Sequence, residues 1–397
     1  MFNTLETQVP DALLSVMQAF AADTAADKMD LGVGVYRNSA GITPVMAAVR
    51  VAEQRLLAAQ NSKVYVGAAG NRPFAAFIEE LTLGATHPAR TAGRVVTLQT
   101  PGGCGAVRLA AEVVNRTTRG ARVLVSDPTW ANHIPLLSGA GLSVDTYPYY
   151  EVASGTVVFD AMLACLERLP TGNVVLLQAS SHNPTGADLS AAQWEALADL
   201  LERKGLVPLL DLAYQGLGVS LDADAAAIRM LVARLPEALI AVSCSKNFGL
   251  YRERVGAVIA VAQDARQAGI VMSHLQALAR RMYSMPPDHG AAIVATIAAD
   301  PALRQQWANE LEAMRLRVAT LRNSLAAALA AEFGSDRFDF IKGQRGMFSL
   351  LGLDPDAVKR LAAEHHVYVA PDSRSNIAGL PEPKVERLAK AIRAVVR

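Results

Sequence analysis

The chain has 397 residues, 51% of them hydrophobic and 19% charged, which suits two domains or one large domain with an appendage around a sizeable core. A formal net charge of +1, with Lys and Arg scattered along the chain, argues against a nucleic-acid footprint or a polybasic membrane patch. No apolar run approaches the roughly 20 residues of a membrane span, and the three cysteines and seven histidines fall in no CxxC, HxxxH or metal-ligand spacing. These features lead us to expect a cytoplasmic protein without a disulfide framework or a metal site. The start, MFNTLETQVPD, has no basic region followed by a long apolar one, so a secretory signal is not expected.

The segment up to about Gly41 reads either as packing on a smaller domain or as an arm that reaches a neighbouring subunit. From about residue 95 to 260, short apolar runs alternate with helical stretches. Arg122–Val125, Val174–Leu177, Leu206–Leu210, Leu239–Val242 and Val255–Val261 read as buried strands, with Ala106–Asn115 and Ala191–Arg203 among the helices between them. That alternation predicts an α/β fold with a largely parallel sheet between helices. Ligands bind such sheets beyond the carboxyl ends of the strands. Each of four strands is followed there by polar or special residues: Trp130 and His133, then Asn183, then Asp211 and Tyr214, then Lys246.

The glycines of TPGGCG open a helix whose free N–H groups suit a phosphate, although such helix starts are common. Trp130 is either a plane for stacking a ring or a core aromatic, and His133 either supports a carboxylate or is a satisfied core histidine. Asn183, in SHNPTG, sits in a turn set by Pro184 and Gly186; it is either a bland turn residue or an amide donor. Asp211 ends the run LVPLLD. A buried carboxylate needs a partner, and a protonated pyridinium nitrogen is a suitable one, as is a simple cap of the next turn. Lys246 leaves an apolar strand into SCSKNFGLYRERVG, close to Ser243, Ser245 and Arg254. A lysine there can lose its proton and condense with an aldehyde whose phosphate the serines and arginine hold, which is the chemistry of pyridoxal phosphate. Pro301–Ala331 reads as a long helix leading into a smaller α+β domain with a strand at Gly346–Leu353. His365 and His366 read as a solvated helix end. Arg280, Arg281 and Arg374 are either surface arginines or carboxylate clamps.

In family order, GVGVYRNSAGITPV, QTPGGCGAV, DPTWANH, SHNPTG, DLAYQG, SCSKNFGLYRERVG, RRMYSMPPDHGA, GQRGMFSLLGL and SRSNIAG closely resemble the aspartate and aromatic-amino-acid aminotransferases of fold type I, nearly end to end. The resemblance implies a large domain with a mostly parallel seven-stranded sheet at 43–312, a small domain at 11–42 and 313–397, and an arm at 1–10. It implies pyridoxal 5'-phosphate as cofactor, with amino and 2-oxo acids as substrates. In the implied site Lys246 bonds the cofactor aldehyde and moves the Cα proton, Asp211 holds the pyridinium with His133 behind it, and Trp130 stacks on the ring. Asn183 and Tyr214 hold the ring oxygen. Gly103, Cys104, Ser243, Ser245 and Arg254 surround the phosphate, joined by Tyr65 of the other subunit of a homodimer. Arg374 clamps the substrate α-carboxylate, Arg280 of the other subunit meets a distal carboxylate with Asp11 nearby, and Val33 and Gly34 lie on a segment that closes over substrate.

Several positions depart from the aspartate-type pattern: Gly102 and Cys104 stand for hydroxyl residues, Gln178 for a residue often His, and Met282 and Met285 flank the segment around Arg280. Arg252 also departs from it. The expected activity is transfer from aromatic amino acids and aspartate to 2-oxoglutarate, with a dedicated aspartate aminotransferase as the alternative. Two further readings are a decarboxylase or β-lyase on the same fold, for which oxo-acid formation is the discriminator, and a ligand-sensing regulator domain, which would carry a fused DNA-binding segment or lack the lysine.

Overall fold

The computed structural model describes residues 2–7, 12–118 and 121–396. Its centre is a seven-stranded sheet: β1 (Val95–Pro101), β2 (Arg122–Asp127), β3 (Ser143–Pro148), β4 (Val174–Gln178), β5 (Val207–Leu212), β6 (Ala238–Ser243) and β7 (Val255–Val261), in spatial order β1-β7-β6-β5-β4-β2-β3. β3, β2, β4, β5 and β6 run parallel, whereas β7 is antiparallel to both of its neighbours. All residues of β4, β6 and β7 are buried, as a sheet covered on both faces requires. One buried cluster on one side includes Leu177, Leu210 and Ile240; another on the other includes Leu176, Leu209 and Ala241. The alternation along each strand sends successive side chains to opposite faces.

The expected strands are all present. Two additions come from the structure: β1, and the edge strand β3, whose residues are mostly exposed. Helix α1 (Gly102–Thr117) follows β1 directly, helix α2 (Ala265–Met282) follows β7, and helix α3 spans Pro301–Phe333. α3 begins where Asp300 accepts from the backbone N–H groups of Ala302 and Leu303, has Pro301 at its first position, and ends at Gly334 in the left-handed conformation. Among the described residues no helix is long and apolar enough to cross a membrane.

A third apolar cluster joins Met29 and Leu31 to the second half of α3 (Leu321, Leu325, Leu329) and to the C-terminal elements (Leu361, Leu388, Ile392). Met29–Asp30 pairs in parallel with Val367–Tyr368, tying the N-terminal segment to the C-terminal third. The helix expected to end at His365 and His366 does end there: His366 is its left-handed cap, partly exposed, with Nδ1 2.8 Å from Asp23 Oδ2 of the N-terminal segment. The strand expected at Gly346–Leu353 is confined to Phe348–Leu350, paired with Arg374–Asn376.

The C-terminal segment packs closely on the turn beyond β4. Gly186 has φ +71°, and a Cβ there would lie 2.4 Å from the Phe348 carbonyl oxygen. Gly186→Ala should destabilise the protein by about 2–4 kcal/mol through left-handed strain and collision with backbone. Chemical denaturation checks this, and an unchanged midpoint and slope would contradict the close approach.

Candidate active site

The carboxyl ends of β2, β4, β5 and β6 open on one cleft of about 330 Å³. Because β7 runs antiparallel, its start lies at the same end: Gly256 pairs with Ser243 and Thr100, which brings Arg254 beside the start of α1. The cleft is lined by Gly103 and Cys104 from α1, Trp130 beyond β2, Asn183 beyond β4, and Asp211 and Tyr214 from β5 onward. Ser243, Ser245, Lys246 and Arg254 close one side, and Gly34, Phe348 and Arg374 close it from the N-terminal and C-terminal segments.

At the base, His133 Nε2 is 3.1 Å from Asp211 Oδ2, and its Nδ1 is 2.8 Å from Thr129 Oγ1. His133 is fully buried, with its ring edge-on to Trp130 at 5.2 Å. It therefore supports Asp211 and does not itself line the cleft. The Thr129 contact fixes which ring nitrogen faces the acid, the usual role of an outer hydrogen bond on histidine.

Lys246 Nζ donates to the Gly34 carbonyl and lies 4.7 Å from the centre of the Tyr251 ring. Burial, reinforced by the positive charges of Arg374 and Arg254, pushes its amine down from 10.5 to about 7. Burial disfavours the charged form and nearby cations add to that. The result is an amine that is substantially neutral near physiological pH.

Arg374 is held on three sides. Its Nη1 donates to Asn183 Oδ1 at 3.1 Å, its Nη2 donates to the Gly32 carbonyl at 3.0 Å, and its guanidinium sits 4.3 Å above the Phe348 ring. Asn183 Nδ2 in turn donates to Tyr214 Oη at 3.3 Å. Burial pushes the Tyr214 phenol up.

Gly102 begins α1 with φ +70°, and a Cβ there would fall 2.5 Å from Arg254 Nη2. The absence of a side chain lets the guanidinium lie directly over the helix start. At Cys104 the thiol receives a long contact from Asn132 Nδ2, 3.8 Å.

Two expected residues are not in this cleft. Tyr65 is 85% exposed. Arg280 is exposed at the end of α2, where its Nη1 donates to Ser284 Oγ. Asp11 lies outside the described residues. Conversely, sequence reasoning assigned no role to Leu13, Val35, Tyr251 or Phe348, which line the cleft. Phe348 and Tyr251 stand in the quoted segments GMFSLLGL and GLYRERVG, but an aromatic inside a motif does not reveal whether it faces core or cleft. Nothing in the structure explains the exposed Arg252.

The family model for aminotransferases of class I and II matches residues 26–392. The aromatic-amino-acid aminotransferase of Pseudomonas aeruginosa is 48% identical over 385 residues, covering 97% of this chain and 96% of its own length. The aspartate aminotransferase of Escherichia coli is 41% identical with full coverage of both chains. Among solved structures, the aromatic-amino-acid aminotransferase of Burkholderia pseudomallei, covalently bound to pyridoxal phosphate, superposes with a TM-score of 0.97 at 41% identity and covers 100% of each chain. The chain belongs to the class I and II aminotransferases. It is an aminotransferase of fold type I that works with pyridoxal phosphate.

The cleft fits that cofactor. Asp211 offers an acid for the ring nitrogen, Lys246 an amine for the aldehyde, and the Gly102–Arg254 corner with Ser243 and Ser245 a cationic cradle of donors for a phosphate dianion.

The Lys246 environment gives a pH prediction. Only the neutral amine attacks an aldehyde, so covalent capture of pyridoxal phosphate by cofactor-free protein should rise with pH and reach half its maximum near 7. Arg374→Ala removes a cation that holds the amine down and should move that midpoint upward. Stopped-flow absorbance across the neutral range measures both. A midpoint near the ordinary lysine value of 10.5, or no shift in the variant, would contradict the assignment.

Proposed function

We propose that this enzyme transfers the amino group of aromatic amino acids (tyrosine and phenylalanine) and of aspartate to 2-oxoglutarate by a ping-pong sequence. The observation that carries the reading is one buried cleft holding the near-neutral Lys246 amine, the Asp211–His133 pair and the Arg374–Asn183 clamp. When bound, pyridoxal phosphate supplies an aldehyde for amine exchange and a protonated ring that draws electrons away from the substrate Cα.

The chain's own residues do the rest. Arg374 takes the α-carboxylate through its guanidinium, oriented by Asn183 and the Gly32 carbonyl. Lys246 Nζ, neutral once displaced, would take the Cα proton and deliver it to the carbon of the cofactor's aldehyde, and would run the same transfer backwards in the second half-reaction. Asp211, backed by His133, would hold the proton on the ring nitrogen. Asn183 and Tyr214 would hold the ring oxygen, Trp130 would cover the ring, and Gly103, Cys104, Ser243, Ser245 and Arg254 would hold the phosphate. Val33 and Gly34 lie on the segment that excludes water as substrate binds.

Two residues act from a second copy. Tyr65 stands in an exposed apolar stretch in which Val64 is 76% exposed, and Leu57 nearby in sequence is 87% exposed. We propose a homodimer in which that stretch is covered, Tyr65 reaches the partner's phosphate cradle and Arg280 reaches the partner's substrate cleft. The same reading divides the chain into an arm at 1–10, a small domain at 11–42 and 313–397, and a large domain at 43–312. The third apolar cluster supports that division. The proposed location is the cytoplasm, where the free cysteines Cys104, Cys165 and Cys244 suit a reducing environment.

A dedicated aspartate aminotransferase is the alternative, favoured by the full-length similarity to the Escherichia coli enzyme. Met282 and Met285 favour the broader reading, since methionine beside Arg280 is soft enough to admit a ring. If Arg280 makes two charge-assisted bonds to a distal carboxylate, Arg280→Ala should lower aspartate turnover about 10²–10⁴-fold and affect phenylalanine much less. Steady-state kcat/KM for the two substrates tests this. Equal losses for both would remove Arg280 from the role.

A further inference from the structure

Asn183 is 5% exposed and lies in a turn beyond β4, outside the sheet ladder. Its carbonyl leads into Pro184, which has no N–H, and the turn gives its backbone no neighbouring strand. Buried backbone groups in that position must be satisfied by a side chain. Gln178, the last residue of β4, meets both needs. Its Nε2 donates to the Asn183 carbonyl at 2.9 Å, and its Oε1 accepts from the Asn183 N–H at 2.8 Å. A planar carboxamide offers a donor and an acceptor side by side, which matches the two groups of one residue. Gln178 is itself buried, lines the cleft and stands opposite Asp211 on the adjoining strand.

We infer that Gln178 is a positioning residue: it locks the Asn183 backbone so that the Asn183 side chain meets Arg374 and Tyr214 together, and thereby sets the affinity of the site for the substrate α-carboxylate. The linkage runs Gln178 to the Asn183 backbone, then Asn183 Oδ1 to Arg374 Nη1 and Asn183 Nδ2 to Tyr214 Oη. It ties a guanidinium carried by the C-terminal unit to a strand end of the central sheet. Arg374 also donates to the Gly32 carbonyl and lies over the Phe348 ring, so the Asn183 contact is the one that ties it to the end of β4. Gln178 thus bonds both the N–H and the carbonyl of one residue and carries no charge at any pH. The inference rests on the reading of Arg374 as the carboxylate clamp.

The test uses the holoenzyme and 3-phenylpropionate, an unreactive monocarboxylate, titrated through the cofactor absorbance. Gln178→Met keeps the side-chain volume and removes both hydrogen bonds. It should raise the 3-phenylpropionate Kd and the KM for phenylalanine about tenfold, with a smaller change in kcat. Gln178→His restores a polar partner and should recover part of the affinity. If the Met variant does not assemble as holoenzyme, Gln178→Glu, which keeps the acceptor and loses the donor to the Asn183 carbonyl, is read in the same titration and should also weaken binding. Wild-type Kd and KM in the Met variant, or in Glu where Met fails, would overturn the inference provided Arg374→Ala weakens 3-phenylpropionate. Wild-type affinity in Arg374→Ala would instead overturn the underlying reading of the clamp.

Discussion

Keeping a lysine amine uncharged near neutral pH requires taking it out of water and surrounding it with like charge. Lys246 achieves both, packed between the Tyr251 ring and Gly34 and within reach of the fields of Arg374 and Arg254. The same arrangement makes the cleft attractive to anions at both ends. Asp211 is the acid that lines it among the described residues. Cations that disfavour the protonated lysine are therefore also the groups that suit a phosphate and a carboxylate. One electrostatic arrangement activates the nucleophile and selects what it meets.

That arrangement depends on the order and direction of strands. Parallel β4, β5 and β6 deliver Asn183, Asp211 and Lys246 to one edge of the sheet. The antiparallel β7 returns Arg254 to that edge instead of the opposite one. Gly102 leaves room for the Arg254 guanidinium, which donates to the Tyr251 carbonyl. Arg374 arrives on a C-terminal strand, so the site is complete only when the C-terminal segment is docked on the sheet. The tight approach of Gly186 to Phe348 and of Gly346 to Ser181 marks where that docking is enforced.

Much of this was legible in the sequence because buried strands leave continuous apolar runs and the residue after each run is conspicuous when polar. Lys246, Asp211 and Asn183 were found that way. The edge strand β3 was not, because its half-exposed residues alternate weakly and carry no apolar run. The direction of β7 was also hidden, since an all-buried strand reads the same whether parallel or antiparallel. Gln178 was visible only as an unusual residue. Its role depends on a turn that brings Asn183 back within hydrogen-bond reach five positions later. Tyr65 and Arg280 stand in recognisable sequence motifs but are exposed on this chain, and only the proposed homodimer would bring them to a cleft.

The most direct test of the account is a single-turnover experiment on the purified holoenzyme, mixed separately with phenylalanine and with aspartate while the cofactor absorbance and the released oxo acid are followed. The account predicts rapid loss of the cofactor band with both substrates, phenylalanine at least as efficient as aspartate, and one oxo acid formed per site. Reaction with aspartate alone would make the enzyme a dedicated aspartate aminotransferase. Loss of the band without oxo-acid formation would contradict amino transfer as the chemistry of this cleft.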